Sequence, residues 1–294
     1  MMFIIDSLQE IYFSLKQNKL RSFLTGFGVF WGIFMLILLL GSGKGMENGV
    51  SQGLARFAQD VVFINGRRTS MPYAGLQSGR WISFRFSDID DIRQFVPGVE
   101  YVAANARVNN GSALVKYGER SGTFPVYADS RDVLKIVTSV SLKRGRLLNA
   151  LDVDQGRKVC TLGSSAAESL FAGEDPIGKS VEIAKVNFTV VGVFEDTGNN
   201  GQDSQNITIP ISVYQKAFAR GSDRIGTIMY KPRPGADVFE VEKQVIERLK
   251  QRHRIHPDDE RAIQSFNTRQ ASESTHAIFA AINGFIWFVG IGTL

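Results

Sequence analysis

Gly173-Glu-Asp-Pro-Ile-Gly-Lys-Ser180 satisfies the phosphate-loop pattern G-x-x-x-x-G-K-[ST] at every fixed position, and its surroundings decide whether the fold is built to hold a nucleotide. A phosphate loop follows a buried strand and opens a helix, because the helix N-terminus and a run of free backbone N–H groups form the anion cradle. Here the order is reversed. Upstream, Ser164-Ser-Ala-Ala-Glu-Ser-Leu-Phe171 reads as a helix begun by serine caps. Downstream, Ser180-Val-Glu-Ile-Ala184 alternates polar and apolar residues, then a tight turn at Lys185-Val-Asn187 leads into Phe188-Thr-Val-Val-Gly-Val-Phe194. Pro176 also lacks an N–H that the cradle would use. The eight residues are expected to be a turn between a helix and a strand.

Outward from this turn, strands and short helices keep alternating. Strands are expected over Val61–Ile64, Val99–Val108, Ser112–Tyr117, Ser121–Tyr127, Arg157–Leu162, Ile207–Ile211 and Ile225–Lys231. Helices are expected from Ser87, as cap, to Pro97; over Asp132–Val137; over Ser212–Ala219; and over Asp237–Arg254. The last carries Val238, Val241, Val245, Leu249 and Arg252 as one stripe. None of the strands has the long apolar run of a doubly wound sheet, so the fold class is α+β, with two intertwined subdomains.

Both ends of the chain differ in composition from this middle. Ser22 to Gly43 is a run of 22 residues without a charge, and Ser274 to Leu294 is another of 21. At about 1.5 Å per residue the first spans about 33 Å as a helix, against a hydrocarbon core of about 30 Å. Its apolar residues from Phe23 to Leu40 favour insertion by roughly 4–7 kcal/mol. A cleaved signal peptide would have a shorter apolar core and an A-x-A-like site, and neither is found. Residues 1–21 contain an amphipathic stretch, Ile4–Leu20, with Leu8, Ile11, Tyr12 and Leu15 on one face, suited to the membrane interface. Lys16, Lys19 and Arg21 before the span tilt the positive-inside balance towards a cytoplasmic N-terminus. Gly28-x-x-x-Gly32 and Ala280-x-x-x-Gly284 permit close helix approach. The expected division is therefore 1–21 interfacial helix, 22–43 first transmembrane helix, 44–273 extracytoplasmic α+β domain, and 274–294 the incomplete start of a second transmembrane helix. Gly45–Gln59 is expected to prolong the first helix beyond the bilayer.

Motifs for chemistry are missing: the sequence holds no G-x-S-x-G, no H-E-x-x-H and no paired-cysteine site. His253 and His256 read as solvated histidines at a basic helix end, and Asp152 and Asp154 as a surface turn. Asp196–Asn206 is a polar break that fails the calcium-loop frame, because its twelfth position is Ile207. Cys160, the single cysteine, reads as a buried strand residue. With Lys and Arg scattered singly, the net charge of +5 suits a solvated surface and no nucleic acid. No catalytic, cofactor-binding or metal-ligating residue is nominated, and no cofactor.

Several stretches together point to a family. Asn18-Lys-Leu-Arg-Ser-Phe-Leu-Thr25 running into a membrane helix resembles the start of permeases of the MacB and FtsX superfamily of ABC transporters. So do Gly145-Arg-Leu-Leu-Asn-Ala-Leu-Asp152, Val159–Gly163, the helix through Leu170-Phe171, Gly173–Lys179, Phe188–Val193 and Ile209-Pro-Ile211. Asn65–Ser83 carries the resemblance more weakly. The resemblance implies a MacB-like periplasmic core domain between the first and second of four transmembrane helices, in a multi-pass protein of the inner (cytoplasmic) membrane. The chain would then stop inside the second helix. It further implies a separate ABC ATPase subunit, a homo- or heterodimer of permeases, and room for a periplasmic adaptor or outer-membrane partner. The implied function is ATP-driven motion of the extracytoplasmic domain, used for export or efflux by mechanotransmission. A two-span sensor with an extracytoplasmic ligand domain, and an FtsX-like regulator of a cell-wall enzyme, share the same hydropathy profile.

Overall fold

The computed structural model describes residues 19–55, 60–196, 203–219 and 223–293. The amphipathic stretch expected at Ile4–Leu20 therefore lies outside the described residues except for Lys19 and Leu20, as does most of the polar break at Asp196–Asn206. In chain order the elements are α1 (Lys19–Ala55), β1 (Val62–Gly66), α2 (Phe86–Phe95), β2 (Val99–Tyr117), β3 (Arg120–Asp129), α3 (Val133–Ile136), β4 (Val140–Gly145), α4 (Ala150–Gln155), β5 (Val159–Gly163), α5 (Ser164–Phe171), β6 (Ser180–Ile183), β7 (Val186–Asp196), β8 (Ile207–Pro210), α6 (Ile211–Ala217), β9 (Thr227–Pro232), α7 (Val238–Arg252), β10 (Ile263–Asn267) and α8 (Thr268–Thr293). They fall into a helical unit, Met1–Ser51 with Ser272–Leu294, and a mixed unit, Gln52–Ala271.

In the helical unit, Lys19–Val50 is long and apolar enough to cross a membrane. Phe23, Leu24, Phe30, Ile37 and Leu39 are each more than half exposed. A helix apolar around its whole circumference has no polar side to turn to water, which is the signature of a bilayer-facing segment. α8 begins at Thr268, earlier than the expected 274. The Asn267 side-chain oxygen caps it, accepting from the backbone N–H groups of Arg269 (3.0 Å) and Gln270 (3.3 Å).

The strands of the mixed unit do not separate into two sheets. One hydrogen-bonded path runs β10-β1-β9-β2-β3-β8-β5-β7-β4, with β6 bridging β2 and β7. Pairing is antiparallel except for β3 with β8 and β5 with β7. The two strands expected at Val99–Val108 and Ser112–Tyr117 are a single strand, β2, whose pairing with β3 slips between Arg107 and Ser112. Positive φ at Asn109 (48°) and Gly111 (136°) absorbs the slip, so the chain bulges without leaving the sheet. The first half of β2 pairs with β9 and the second reaches β6, which ties the sheet together.

Period-2 alternation assigns the faces. Val62 and Ile64 of β1, Ile228 and Tyr230 of β9, and Val126 and Ala128 of β3 point into the main core, beneath α2, α5, α6 and α7. The stripe expected on α7 is buried there at Val238, Val241, Val245 and Leu249, with Asp237 capping the helix. A smaller cluster of Val61, Ala103, Val133, Ile136 and Met229 occupies the opposite face under α3.

The decisive turn behaves as its surroundings predict. α5 occupies Ser164–Phe171, and the chain reverses through Ala172 (φ 47°) and Gly173 (φ 93°) into β6. Gly178 N–H donates to Val190 O (2.8 Å), stitching the turn to β7, so its N–H groups do not form an open cradle. The hairpin turn that follows is Ala184-Lys185, both at positive φ, one residue earlier than expected. Two caps differ from expectation: α5 starts from Gly163 with no side-chain cap, and α2 starts at Phe86 with Arg85 as its cap residue. Ser87 lies inside α2, whose first turn is closed instead by Asp88, which accepts the Arg85 N–H (2.7 Å).

Candidate functional site

The sheet face opposite the main core holds a cavity of about 540 Å³, and its floor is ordered by strand register. Asn65, Thr227, Asn105 and Asp129 are successive cross-strand neighbours on β1, β9, β2 and β3. The adjacent row is Arg107, Tyr127, Thr208 and Thr161 on β2, β3, β8 and β5. All eight line the cavity. Their neighbours in sequence point into the core, so alternation alone delivers two polar rows to one surface. The roof is apolar: Val133, Leu134 and Val137 around α3, then Val140, Leu147, Leu148 and Val153.

Charge on this floor is unevenly satisfied. The Thr227 hydroxyl donates to Asn65 Oδ1 (2.7 Å). Arg131 pairs with Asp154, and the Arg107 guanidinium lies 5.3 Å from the Tyr127 ring centre. Among the described residues the Asp129 carboxyl has no hydrogen-bond or ion-pair partner, and burial raises its pKa to about 7.

The residues weighed from sequence lie elsewhere. His253 is not solvated: its Nε2 sits 2.8 Å from Asp88 Oδ2, and its ring packs edge-on against Phe84. It belongs to a charged seam between α2 and α7. There Arg248 Nε and Nη2 donate to Asp91 Oδ2 and Oδ1 at 2.6 and 2.7 Å, and Arg252 reaches both Asp88 and Asp91. The Arg248 bonds hold the Asp91 carboxyl below the usual range. For Asp88, burial pushes upward, but the His253 and Arg85 hydrogen bonds outweigh it and the net shift is downward. His256 packs edge-on against Tyr73. Among the described residues, no three His, Cys, Asp or Glu side chains are grouped to hold a metal ion.

Asp152 is not on a surface turn. Its side chain is fully buried at the start of α4, paired with Arg146 and near Arg157. Burial raises its pKa, and the Arg146 bonds, the Asn149 N–H and the Arg157 charge more than reverse that. Asp154 is the exposed partner of Arg131. Cys160 is buried on β5, and burial pushes its thiol up. Lys179, the lysine of the phosphate-loop pattern, pairs with Glu174 (2.6 Å) and faces the Tyr117 ring (5.5 Å). The cavity was not found from the sequence. Its one available signal was the polar alternation Tyr127, Asp129 against Val126, Ala128 on β3.

Comparison with known proteins follows the same outline. The family described as MacB-like periplasmic core domain matches residues 22–248, and the chain belongs to that family. The macrolide export ATP-binding/permease protein MacB of Chlorobium phaeobacteroides is 23% identical over 267 residues, 90% of this chain and 39% of that protein. MacB of Aggregatibacter actinomycetemcomitans is 28% identical over 255 residues, 84% of this chain and 38% of that protein. The chain thus spans about two fifths of the length of these relatives. The crystal structure of the periplasmic region of MacB from Actinobacillus actinomycetemcomitans aligns with a TM-score of 0.61 at 25% identity, covering 76% of this chain and 95% of that one. The extracellular domain of the ABC-type transporter YknZ from Gram-positive bacteria aligns with a TM-score of 0.58 at 18% identity, over 70% of this chain and 100% of that one, a likeness of fold.

Proposed function

We propose, on the premise that this chain belongs to the family of MacB-like periplasmic core domains, that it is the permease part of an exporter whose ATP is hydrolysed by a separate cytoplasmic ABC ATPase. The mixed unit is then the extracytoplasmic part, carried by α1 and α8 in the inner membrane, and two permeases work as a homo- or heterodimer. The names of these relatives join ATP-binding and permease functions, and the match of this chain to the periplasmic core domain family supports the permease role.

The observation that carries this reading is the length of α1. Lys19–Ala55 is one 37-residue helix. At about 1.5 Å per residue it is about 55 Å long, well beyond a hydrocarbon core of about 30 Å. A helix of that reach transmits displacement across the bilayer to the domain it leads into, where a coil would absorb it. Substrate moved by such a stroke need not cross the bilayer through this chain.

The experiment is reconstitution of the full-length protein in nanodiscs with the ATPase that copurifies with it. The expected result is ATP turnover that depends on the permease and falls to the basal rate when a Gly-Ser-Gly-Ser insertion between Val50 and Ser51 breaks the helix. A permease with no copurifying ATPase, or turnover indifferent to that insertion, contradicts the reading.

A further inference from the structure

We infer that the cavity on the second sheet face is a binding site for an amphipathic amine of drug size, its ammonium against Asp129 and its apolar body beneath Leu134 and Leu147. The volume of about 540 Å³ lies within the roughly 300–1,000 Å³ typical of sites for such molecules, which are commonly apolar with a few convergent polar groups. A polar floor under an apolar roof sorts a ligand with one face of each kind.

The charges around the cavity single out a cation. Asp129 is half-buried, and a carboxyl held partly out of water without a partner is costly to ionise; a protein that merely needed a filled interior would place an apolar residue there. The other charged groups lining the cavity are engaged. Arg107, from β2, lies over Tyr127; Arg131, from the segment after β3, is paired with Asp154 of α4; Asp203, before β8, accepts from Asn206 (3.0 Å). Burial pushes the Asp129 carboxyl up to about 7. Asp129 is thus the group whose missing partner a ligand ammonium would supply, while Asn105, its register neighbour on β2, offers a flanking amide. The inference stands apart from the transport reading, since binding in this cavity requires neither ATP nor an ATPase.

The test compares two fluorescent probes that differ in one group: monodansylcadaverine, whose pentyl arm ends in an ammonium, and the neutral N-pentyl dansylamide. Each is titrated against the full chain in lipid nanodiscs, with empty nanodiscs subtracted. Both are expected to bind saturably with a blue shift. Asp129→Asn is expected to weaken monodansylcadaverine about tenfold or more, the scale of a lost charged hydrogen bond, and to leave the neutral probe unchanged. Leu134→Trp, which fills the roof, is expected to weaken both. In the wild-type protein the amine, but not the neutral probe, binds more tightly as pH rises from 6 to 8, and this ratio decides the matter without a variant. No saturable binding, equal loss of both probes in Asp129→Asn, or an amine-to-neutral ratio flat with pH overturns the proposal. None of these outcomes bears on ATPase coupling, and loss of that coupling leaves these binding results intact.

Discussion

Arg146 grips Asp152 with two nitrogens: Nη2 donates to Oδ1 at 3.0 Å, Nη1 donates to Oδ2, and the carboxylate itself is fully buried. The same carboxylate accepts the Asn149 N–H (3.0 Å) while Asn149 Oδ1 accepts the Asp152 N–H (3.0 Å), a reciprocal cap that starts α4 beside the cavity roof. Arg146 is 41% exposed, so water can take up its charge when Asp152 is removed, and the loss is that of the charged hydrogen bonds. Asp152→Ala is therefore expected to lower stability by about 1.5–3 kcal/mol, and Asn149→Ala by about 0.5–2 kcal/mol. Thermal melts of the purified protein, read by circular dichroism, check the order; an Asp152→Ala melt equal to wild type would refute it.

Acidic groups of opposite shift give the protein a two-sided pH dependence. Asp88, Asp91 and Asp152 have folded-state values held below their unfolded ones. The folded state binds fewer protons there, so their contribution is present above the unfolded value and is lost as pH falls through the lowered ones. Asp129 has the contrary sign: raised to about 7, it makes the folded state bind more protons than the unfolded, so its term weakens stability as pH climbs from about 4 to 7. Asp129→Asn is expected to raise the melting temperature at pH 8 and to change it little at pH 4. A gain equal at both pH values would show that titration of Asp129 is not responsible.

Lys179 is committed to Glu174 and Tyr117, and its turn is stitched to β7. Lys179→Ala is thus expected to leave ATP and GTP binding by the purified chain at background, as in wild type. Nucleotide binding by the wild type that this substitution abolishes would restore the phosphate-loop reading.

Gly41, Gly43, Gly45 and Gly49 all lie within α1, and a Cβ placed at any of them meets nothing within 4 Å. Alanine is accommodated there and favours helix by about 1 kcal/mol at each site. If α1 works as a stiff lever, the alanine series keeps or raises permease-dependent ATP turnover; if the glycines are a hinge, turnover falls. The unbroken helix favours the lever.

Much of the fold was legible because it rests on local signals. The extents of α5 and the hairpin that follows it come from alternation and turn chemistry within a few residues. The buried stripe of α7 follows from i, i+3, i+4, i+7 spacing in the same way. What escaped reading depends on long-range placement. β10, five residues between α7 and the second apolar run, is recognisable only through its register with β1. Asp152 is the local exception: its partner Arg146 is near in sequence, but nothing in the segment's own pattern signals that the carboxylate is buried. His253 looked solvated because Asp88 lies 165 residues away in sequence. The cavity is the extreme case: its polar rows exist only where β1, β9, β2, β3, β8 and β5 are laid side by side.

We propose above all that the α+β unit lies at the outer face of a bilayer, anchored by α1. Cys160 is buried, so it provides a silent background for Glu119→Cys, placed in the exposed turn between β2 and β3. Intact cells expressing this variant are treated with a membrane-impermeant maleimide. The account predicts labelling at residue 119 before permeabilisation, and protein recovered in the detergent-extracted membrane fraction. Labelling only after lysis, or recovery of the chain in the soluble fraction, would contradict it.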